Sequence, residues 1–180
     1  EDAKALAGML KMLNEMPQPT IARVQGAAFG GALGLISCCD IAVAATTANF
    51  ALSEVKIGLV PATISPYVIA AIGERYAKRY FMTAERFDGN TALQMSLVHE
   101  TVEEQQLDKK IEQLVTSILS NGPEAVVAAK QLISKVSGEV IDSTLIEHTC
   151  EVIAGIRVST QGQEGLSAFL GKRKPNWLKD

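Results

Sequence analysis

The sequence predicts an α/β fold with a sheet-bearing first half and a helical second half. Three observations carry this expectation. Two apolar runs, "TIARVQ" and "DIAVAA", flank a short glycine- and alanine-rich stretch, "GALGLISCC". From residue 107 onward, apolar side chains recur at three- and four-residue spacing almost to the end of the chain. Between these halves lies no long linker, and no segment repeats.

Taken in order, Leu6, Met9, Leu10 and Leu13 mark a helix over residues 2–15, which "MPQP" ends. "TIARVQ" reads as a buried strand, "GAAFGG" as a turn, "GALGLISCC" as a tightly packed helix and "DIAVAA" as a second buried strand. Nearly continuous apolar strands joined through a helix are what a parallel pair covered on both faces requires. "ANFALS" is a third short strand, and "EVKIGLVPATISP", with two prolines, is irregular. Helices are expected over 66–72 and 74–82, then a short helix in "GNTALQMSL" and a strand in "LVHETV".

Three helical stripes follow. Leu107, Ile111, Leu114, Ile118 and Leu119 form the first, and Val126, Ala129, Ile133 and Val136 the second. Pro123 suits the first turn of that second helix. Ile141, Leu145, Val152 and Ile156 form the third, with His148 on it as a hydrogen-bonded core residue. A last helix covers 162–171. The expected division is a sheet-and-helix core over 1–120 and a helical region over 121–180.

A net charge of −3 argues against general nucleic-acid binding. No apolar run reaches the ~18 residues that span a bilayer, and no leader-like segment opens the chain. The cysteines, Cys38, Cys39 and Cys150, lack metal spacing. Read as buried, reduced thiols, they fit a cytoplasmic location. The tail "GKRKPNWLK" carries four cations in nine residues, which suits either a solvated helix end or a contact to an anion.

Chemistry enters at "VQGAAFGGALGLISCCDIAVA", with four glycines, five alanines and one charge. A strand turning through Gly30 and Gly31 into a helix leaves free N–H groups at the positive end of the helix dipole. Such a site holds an anion, or a carbonyl oxygen becoming one. The alternative is that the glycines only pack a helix on a sheet. Neither G-x-G-x-x-G nor a P-loop pattern is present. Downstream, Glu54 follows a short apolar strand. It is either an exposed loop charge or a general acid/base in an apolar pocket built by Ile57, Val60 and Ile64. Ser53-x-x-Lys56 matches a hydrolase pattern whose companion motifs are absent.

Together "ARVQGAAFGGALGLISCCDIAVA", "ANFALSEVKIGLVPATISPYVIAAIGERYAKRYFMTAERFD" and "EGLSAFLGKRKPNW" resemble the crotonase superfamily, the enoyl-CoA hydratases and isomerases. Within it, "LSEVKIGLVPATISPYV" is similar to bacterial methylglutaconyl-CoA and carboxygeranoyl-CoA hydratases. The resemblance implies a crotonase-like (ClpP/crotonase) ββα-superhelix core and a C-terminal helical trimerisation region. It covers the C-terminal two thirds of a subunit, so the N-terminal part and one oxyanion N–H are expected to lie outside this chain.

By the same resemblance, the Gly31 N–H holds the thioester oxygen of an acyl-CoA and Glu54 handles the proton. Gly30, Pro61 and Thr63 line the substrate site, while Phe169 and Lys172 touch the CoA nucleotide, often across a subunit interface. The implied reaction is syn addition of water to a 2,3-enoyl-CoA, of branched or glutaconyl type. CoA enters as part of the substrate, with no metal or redox cofactor, in a homotrimer or hexamer. One departure stands out: Gly34 occupies the position where two-glutamate hydratases carry their second carboxylate. Double-bond isomerisation by a single glutamate is therefore the second reading, and a non-catalytic assembly subunit the third.

Overall fold

The computed structural model describes residues 1–178; Lys179, the last cation of the basic tail, lies outside them. Two compact units divide the chain, Glu1–Glu112 and Gln113–Asp180.

The first unit opens with α1 (Asp2–Asn14) and continues through β1 (Ile21–Val24), β2 (Ala27–Phe29) and α2 (Gly31–Cys38). Next come β3 (Ile41–Ala45), β4 (Asn49–Ala51), a 3-10 turn (Glu54–Ile57) and α3 (Ser65–Thr83), then β5 (Phe87–Asp88), α4 (Gly89–Gln94) and β6 (Glu100–Val102). β1, β3 and β6 form one parallel sheet, with Ile21 opposite Ile41 and Val43 opposite Glu100. A second sheet runs β2-β4-β5; β2 and β4 are parallel, and β5 returns antiparallel.

Twice, then, the chain lays one strand in each sheet and closes with a helix: β1-β2-α2, then β3-β4-α3. The expected βαβ unit is present, and the repeat is architectural, with no counterpart in the residues. "GAAFGG" is corrected from a turn to a strand plus a turn, because Ala27–Phe29 pair with Asn49–Ala51. The two helices expected on either side of residue 73 are present: α3 is broken at Gly73, whose backbone is non-helical (φ 75°, ψ 159°).

The core of this unit is aliphatic, with an aromatic corner. Phe50 on β4 is fully buried and stacks on Phe87 of β5 at 5.4 Å, and Tyr80 of α3 meets Phe87 at 4.6 Å. His99 ties the start of the last strand to β3: Ala42 N–H donates to its Nδ1 (3.0 Å), and its own N–H donates to Ala42 O (2.8 Å). The thiols divide. Cys38 is buried, Cys39 half-buried and Cys150 exposed, the last against expectation, because it lies on the open side of its helix. Burial, and then the neighbouring Cys39, push the Cys38 thiol up to about 11, which keeps it protonated and inert.

Helix α5 (Leu107–Leu119) leads from the first unit into the second, where α6 (Pro123–Val136), α7 (Ser143–Val158) and α8 (Thr160–Leu170) follow. Pro123 does open α6. Asp142 caps α7 by accepting from Leu145 N–H (2.9 Å), and Ser159 caps α8 by accepting from Gly162 N–H (3.0 Å). The expected stripes are only partly buried. Leu145, Val152 and Ile156 are half-buried, but Leu119 and Ile133 are 69% and 66% exposed. His148 is half-buried, and among the described residues no hydrogen bond holds it as a core partner.

Past α8 the tail folds back. Arg173 forks onto Glu164 (2.7 and 2.8 Å), Asn176 N–H adds a third bond to Glu164 (2.9 Å), and the Trp177 ring packs 3.1 Å from where a Cβ at Gly165 would lie. Arg173, followed by the Asn176 amide, holds the Glu164 carboxyl down to about 2 from 4.5. A depressed carboxylate contributes stability above its unfolded pKa and loses it as pH falls through the folded one. Trp177 is the sole tryptophan. Its emission is therefore expected to report loss of the docked tail as pH falls from about 4.5 to about 2. In Glu164→Gln that acid-dependent step should disappear, and an unchanged titration would count against this anchor.

Candidate active site

The pairing of β2 with β4 sets the site. Ala27, Ala28 and Phe29 lie opposite Asn49, Phe50 and Ala51, so the residues leaving both strands emerge side by side. Gly30 follows β2 and Glu54 follows β4. Gly30 N–H donates to Ala51 O (2.9 Å), which closes the pair beyond its last rung.

Gly30 is the N-cap of α2, with φ 55° and ψ −120°. A side chain there would be strained, and a Cβ would lie 3.0 Å from Glu54 Oε1. The Glu54 carboxylate is thus laid across the bare Cα of Gly30. Gly31, the first residue of α2, has an N–H without an acceptor in its own helix. A Cβ at Gly31 would meet nothing within 4 Å. The requirement for glycine therefore rests on Gly30, and Gly31 contributes its N–H.

Glu54 Oε2 is closed off from solvent and has no hydrogen-bond partner among the described residues. Buried polar atoms are nearly always paired, and Glu54 Oε2 shares this exception with Ser37 Oγ and Trp177 Nε1 among the described residues. The cleft has a volume of about 500 Å³. Gly31, Glu54, Pro61 and Thr63, all expected site residues, line it together. Leu6 and Ala3 of α1 line it too; the residue pattern placed Leu6 on an apolar stripe without linking it to the site.

Part of the expected apolar pocket is corrected. Ile64 is 2% exposed and lines the cleft, and Val60 lines it while remaining 69% exposed. Ile57 is 75% exposed and is not part of the lining; the short 3-10 turn packs against α3 and leaves it outside. Lys56 is exposed as well, so the Ser53-x-x-Lys56 pattern places no lysine in this cleft.

Gly34 has a positive structural role. It is buried on α2, and a Cβ built there would run into Ile64 Cγ2, lie 2.8 Å from Ile64 Cβ and 3.5 Å from Leu10 Cδ2. The space that any side chain at residue 34 would need is filled by the branched side chain of Ile64. The remaining expected residues belong to the second unit. Phe169 on α8 is 81% exposed, and Lys172 just after it has φ 50°. Arg173 is held by Glu164. No group of three His, Cys, Asp or Glu suited to a metal exists among the described residues.

A ββα spiral and a glycine turn into a helix N-terminus, with the Glu54 carboxylate against it, are the features that build this cleft. The chain belongs to the enoyl-CoA hydratase/isomerase family, whose pattern matches residues 3–180. Its fold matches a crotonase-type protein of Legionella pneumophila at 49% identity and TM-score 0.94, covering 98% of this chain and 68% of that one. An enoyl-CoA hydratase of Shewanella pealeana matches at 51% identity and TM-score 0.92, covering 98% and 66%. Crotonyl-CoA hydratase of Syntrophomonas wolfei is 32% identical over 94% of this chain, which spans 65% of that relative's length.

The Gly34–Ile64 contact generates a stability prediction. Gly34→Ala should destabilise the protein by about 1–3 kcal/mol, as overpacking does. Ile64→Ala removes the Cγ2 that the new Cβ strikes. The double variant should therefore be more stable than the sum of the two single losses, by about 0.5 kcal/mol or more. Urea unfolding of the four proteins reads this directly, and strict additivity would contradict the contact.

Proposed function

We propose that the chain is the hydratase-type part of an acyl-CoA enzyme, adding water reversibly across the 2,3-double bond of an enoyl-CoA thioester. The observation that carries this reading is the Glu54 carboxylate, seated over Gly30 with one oxygen unpartnered in an apolar cleft that also holds Gly31. Glu54 takes a proton from water as its oxygen bonds to C3. The π electrons move through C2 onto the thioester oxygen, which accepts a hydrogen bond from the Gly31 N–H. The enolate then collapses, and C2 takes the proton back from Glu54. One such backbone donor is typically worth about 3 kcal/mol at the transition state. The relative named crotonyl-CoA hydratase supports the same chemistry. Pro61 and Thr63 would border the acyl group, and the exposed Phe169 and Lys172 would meet the CoA nucleotide.

The second reading is double-bond isomerisation, and the filling of the second carboxylate position by Ile64 favours it. One carboxylate is sufficient to move a proton between C2 and C4. Incubating the purified protein with 2-enoyl- and 3-enoyl-CoA thioesters separates the two: a 3-hydroxyacyl product marks hydration, and an interconverted enoyl product marks isomerisation.

Glu54→Gln should lower turnover by about 10²–10⁴, the usual worth of a general acid/base, while thioester binding stays within a few-fold. An exposed loop charge would change neither, so retention of more than about a tenth of the rate would remove Glu54 from the mechanism. The assembly is proposed to be a trimer or hexamer. Its motive is the apolar surface of the second unit, where Ile146, Ile153, Val158 and Leu170 are 53–78% exposed. Sedimentation of a stable monomer at micromolar concentration would refute it.

A further inference from the structure

We propose that Arg86 is a positioning residue for the reaction at Glu54: its guanidinium, lying over the ring of Phe29, straps the end of β2 to the chain entering β5 and so holds the Gly30–Gly31 turn in place. The proposal rests on the enoyl-CoA reading and adds a residue to it.

The strand registers put the two side chains in one row. Phe29 lies opposite Ala51, while Asn49 and Phe50 lie opposite Asp88 and Phe87. One step further along that antiparallel register, Arg86 falls level with Ala51. Side chains alternate along a strand. The neighbouring row, Ala28, Phe50 and Phe87, faces the core at 5%, 0% and 6% exposure, and the row of Phe29, Ala51 and Arg86 faces the other way. Two strand spacings, about 10 Å, separate the outer members of that row. Ala51 between them has only a methyl group, and the Arg86 guanidinium reaches across it to lie 5.2 Å from the centre of the Phe29 ring. That is within the range of a cation–π contact.

Arg86 starts from a fixed base. Glu85 before it is forked by Arg79 (2.6 and 3.1 Å), and Phe87 after it packs against Phe50 and Tyr80. Phe29, by contrast, is 36% exposed, and the residue after it is Gly30, with φ 55° and no side chain of its own to pack. The turn therefore takes its position from the Gly30 N–H bond to Ala51 O and from Phe29. A Cβ at Gly30 would lie 3.0 Å from Glu54 Oε1, so a small shift of this turn moves the Gly31 N–H relative to the carboxylate. Misplacing reacting groups by about 1 Å can cost ~10²-fold in rate. An exposed cation–π pair is a weak stabiliser, so its loss should show in the site before it shows in the fold.

The test compares Arg86→Met, which keeps the length and removes the cation, with Arg86→Lys, which keeps the cation. On crotonyl-CoA, Arg86→Met should lower kcat about tenfold or more with KM within about twofold, and Arg86→Lys should recover most of the loss. Phe29→Leu should lower kcat similarly. The double variant Arg86→Met with Phe29→Leu should lose no more than either single one, because the same contact is removed in all three. A second readout needs no turnover. Amide exchange at Gly30 should speed up severalfold in Arg86→Met and return toward the parent rate in Arg86→Lys, while the urea midpoint stays near the parent's. Parental kcat in Arg86→Met overturns the proposal, as does unchanged exchange at Gly30. A rise in KM with kcat unchanged would make Arg86 a substrate-binding residue, and additive losses would make its effect independent of Phe29; either result overturns it too. Should the parent turn over no thioester, the hydratase reading fails, and exchange at Gly30 still decides whether Arg86 holds the turn.

Discussion

The site depends on how closely Ile64 approaches the backbone of α2. Helix α2 carries Gly31 at its start and Gly34 one turn on, and the bare Cα of Gly34 lets Ile64 and Leu10 meet over it. Ile64 is the residue immediately before α3, and Leu10 belongs to α1. One missing side chain therefore lets two other helices close on α2. With them close the walls of the cleft that Leu6, Gly31 and Glu54 share. Interiors pack at crystal-like density, so such a contact cannot be relaxed at one point without shifting the rest. Gly30 repeats the device at the mouth, where its lack of a Cβ admits the Glu54 carboxylate.

The strands transmit this arrangement although they are only two to five residues long. A chain that leaves one sheet, adds a rung to the next and returns through a helix fixes each turn by register. Phe29 opposite Ala51 places the two turns together, and the stacked Phe50 and Phe87 hold β4 and β5 beneath them. Strands this short would be marginal alone; they persist because every one pairs and because the aromatic corner is buried.

Much of this was legible in the residues, for physical reasons. A short apolar run such as "DIAVAA", too brief for a helix and flanked by polar residues, suits a strand covered on both faces, so the β1–β3 pair was readable, as were the helices bounded by Pro17, Pro123 and Gly73. β2 and β5 were not. Three and two residues carry no period, and "AAF" inside a glycine-rich stretch has the composition of a turn. At the site, Gly31 and Glu54 stood out because a helix N-terminus and a carboxylate after a strand have a chemical meaning by themselves. Gly34 in sequence was only a missing carboxylate. That Ile64 fills its place is a tertiary contact across thirty residues, invisible to local patterning. The stripes of α6 and α7 were visible as apolar periodicity, but periodicity does not say which face is covered. Hence the exposed Ile133 and Cys150.

The filled Gly34 position also constrains how the proposed reaction would proceed. With two carboxylates, one positions water and the other delivers the proton, and each has its own place around the double bond. Here Ile64 leaves residue 34 no room for a carboxylate, and of the two acidic side chains lining the cleft, Asp2 and Glu54, Glu54 is the one that lies against Gly30. If Glu54 takes the proton from water and returns it to C2, both transfers happen on the face of the substrate that it touches. Oxygen and hydrogen would then add from the same side, so syn stereochemistry follows from having a single proton carrier. The same wall bears on the isomerase reading. A carboxylate fixed over Gly30 would have to serve C2 and C4 in turn, which are separated by one carbon. Geometry thus leaves the choice between hydration and isomerisation to whether the aliphatic cleft admits a water beside the bound acyl chain, and Ile64, by its bulk, sets that space.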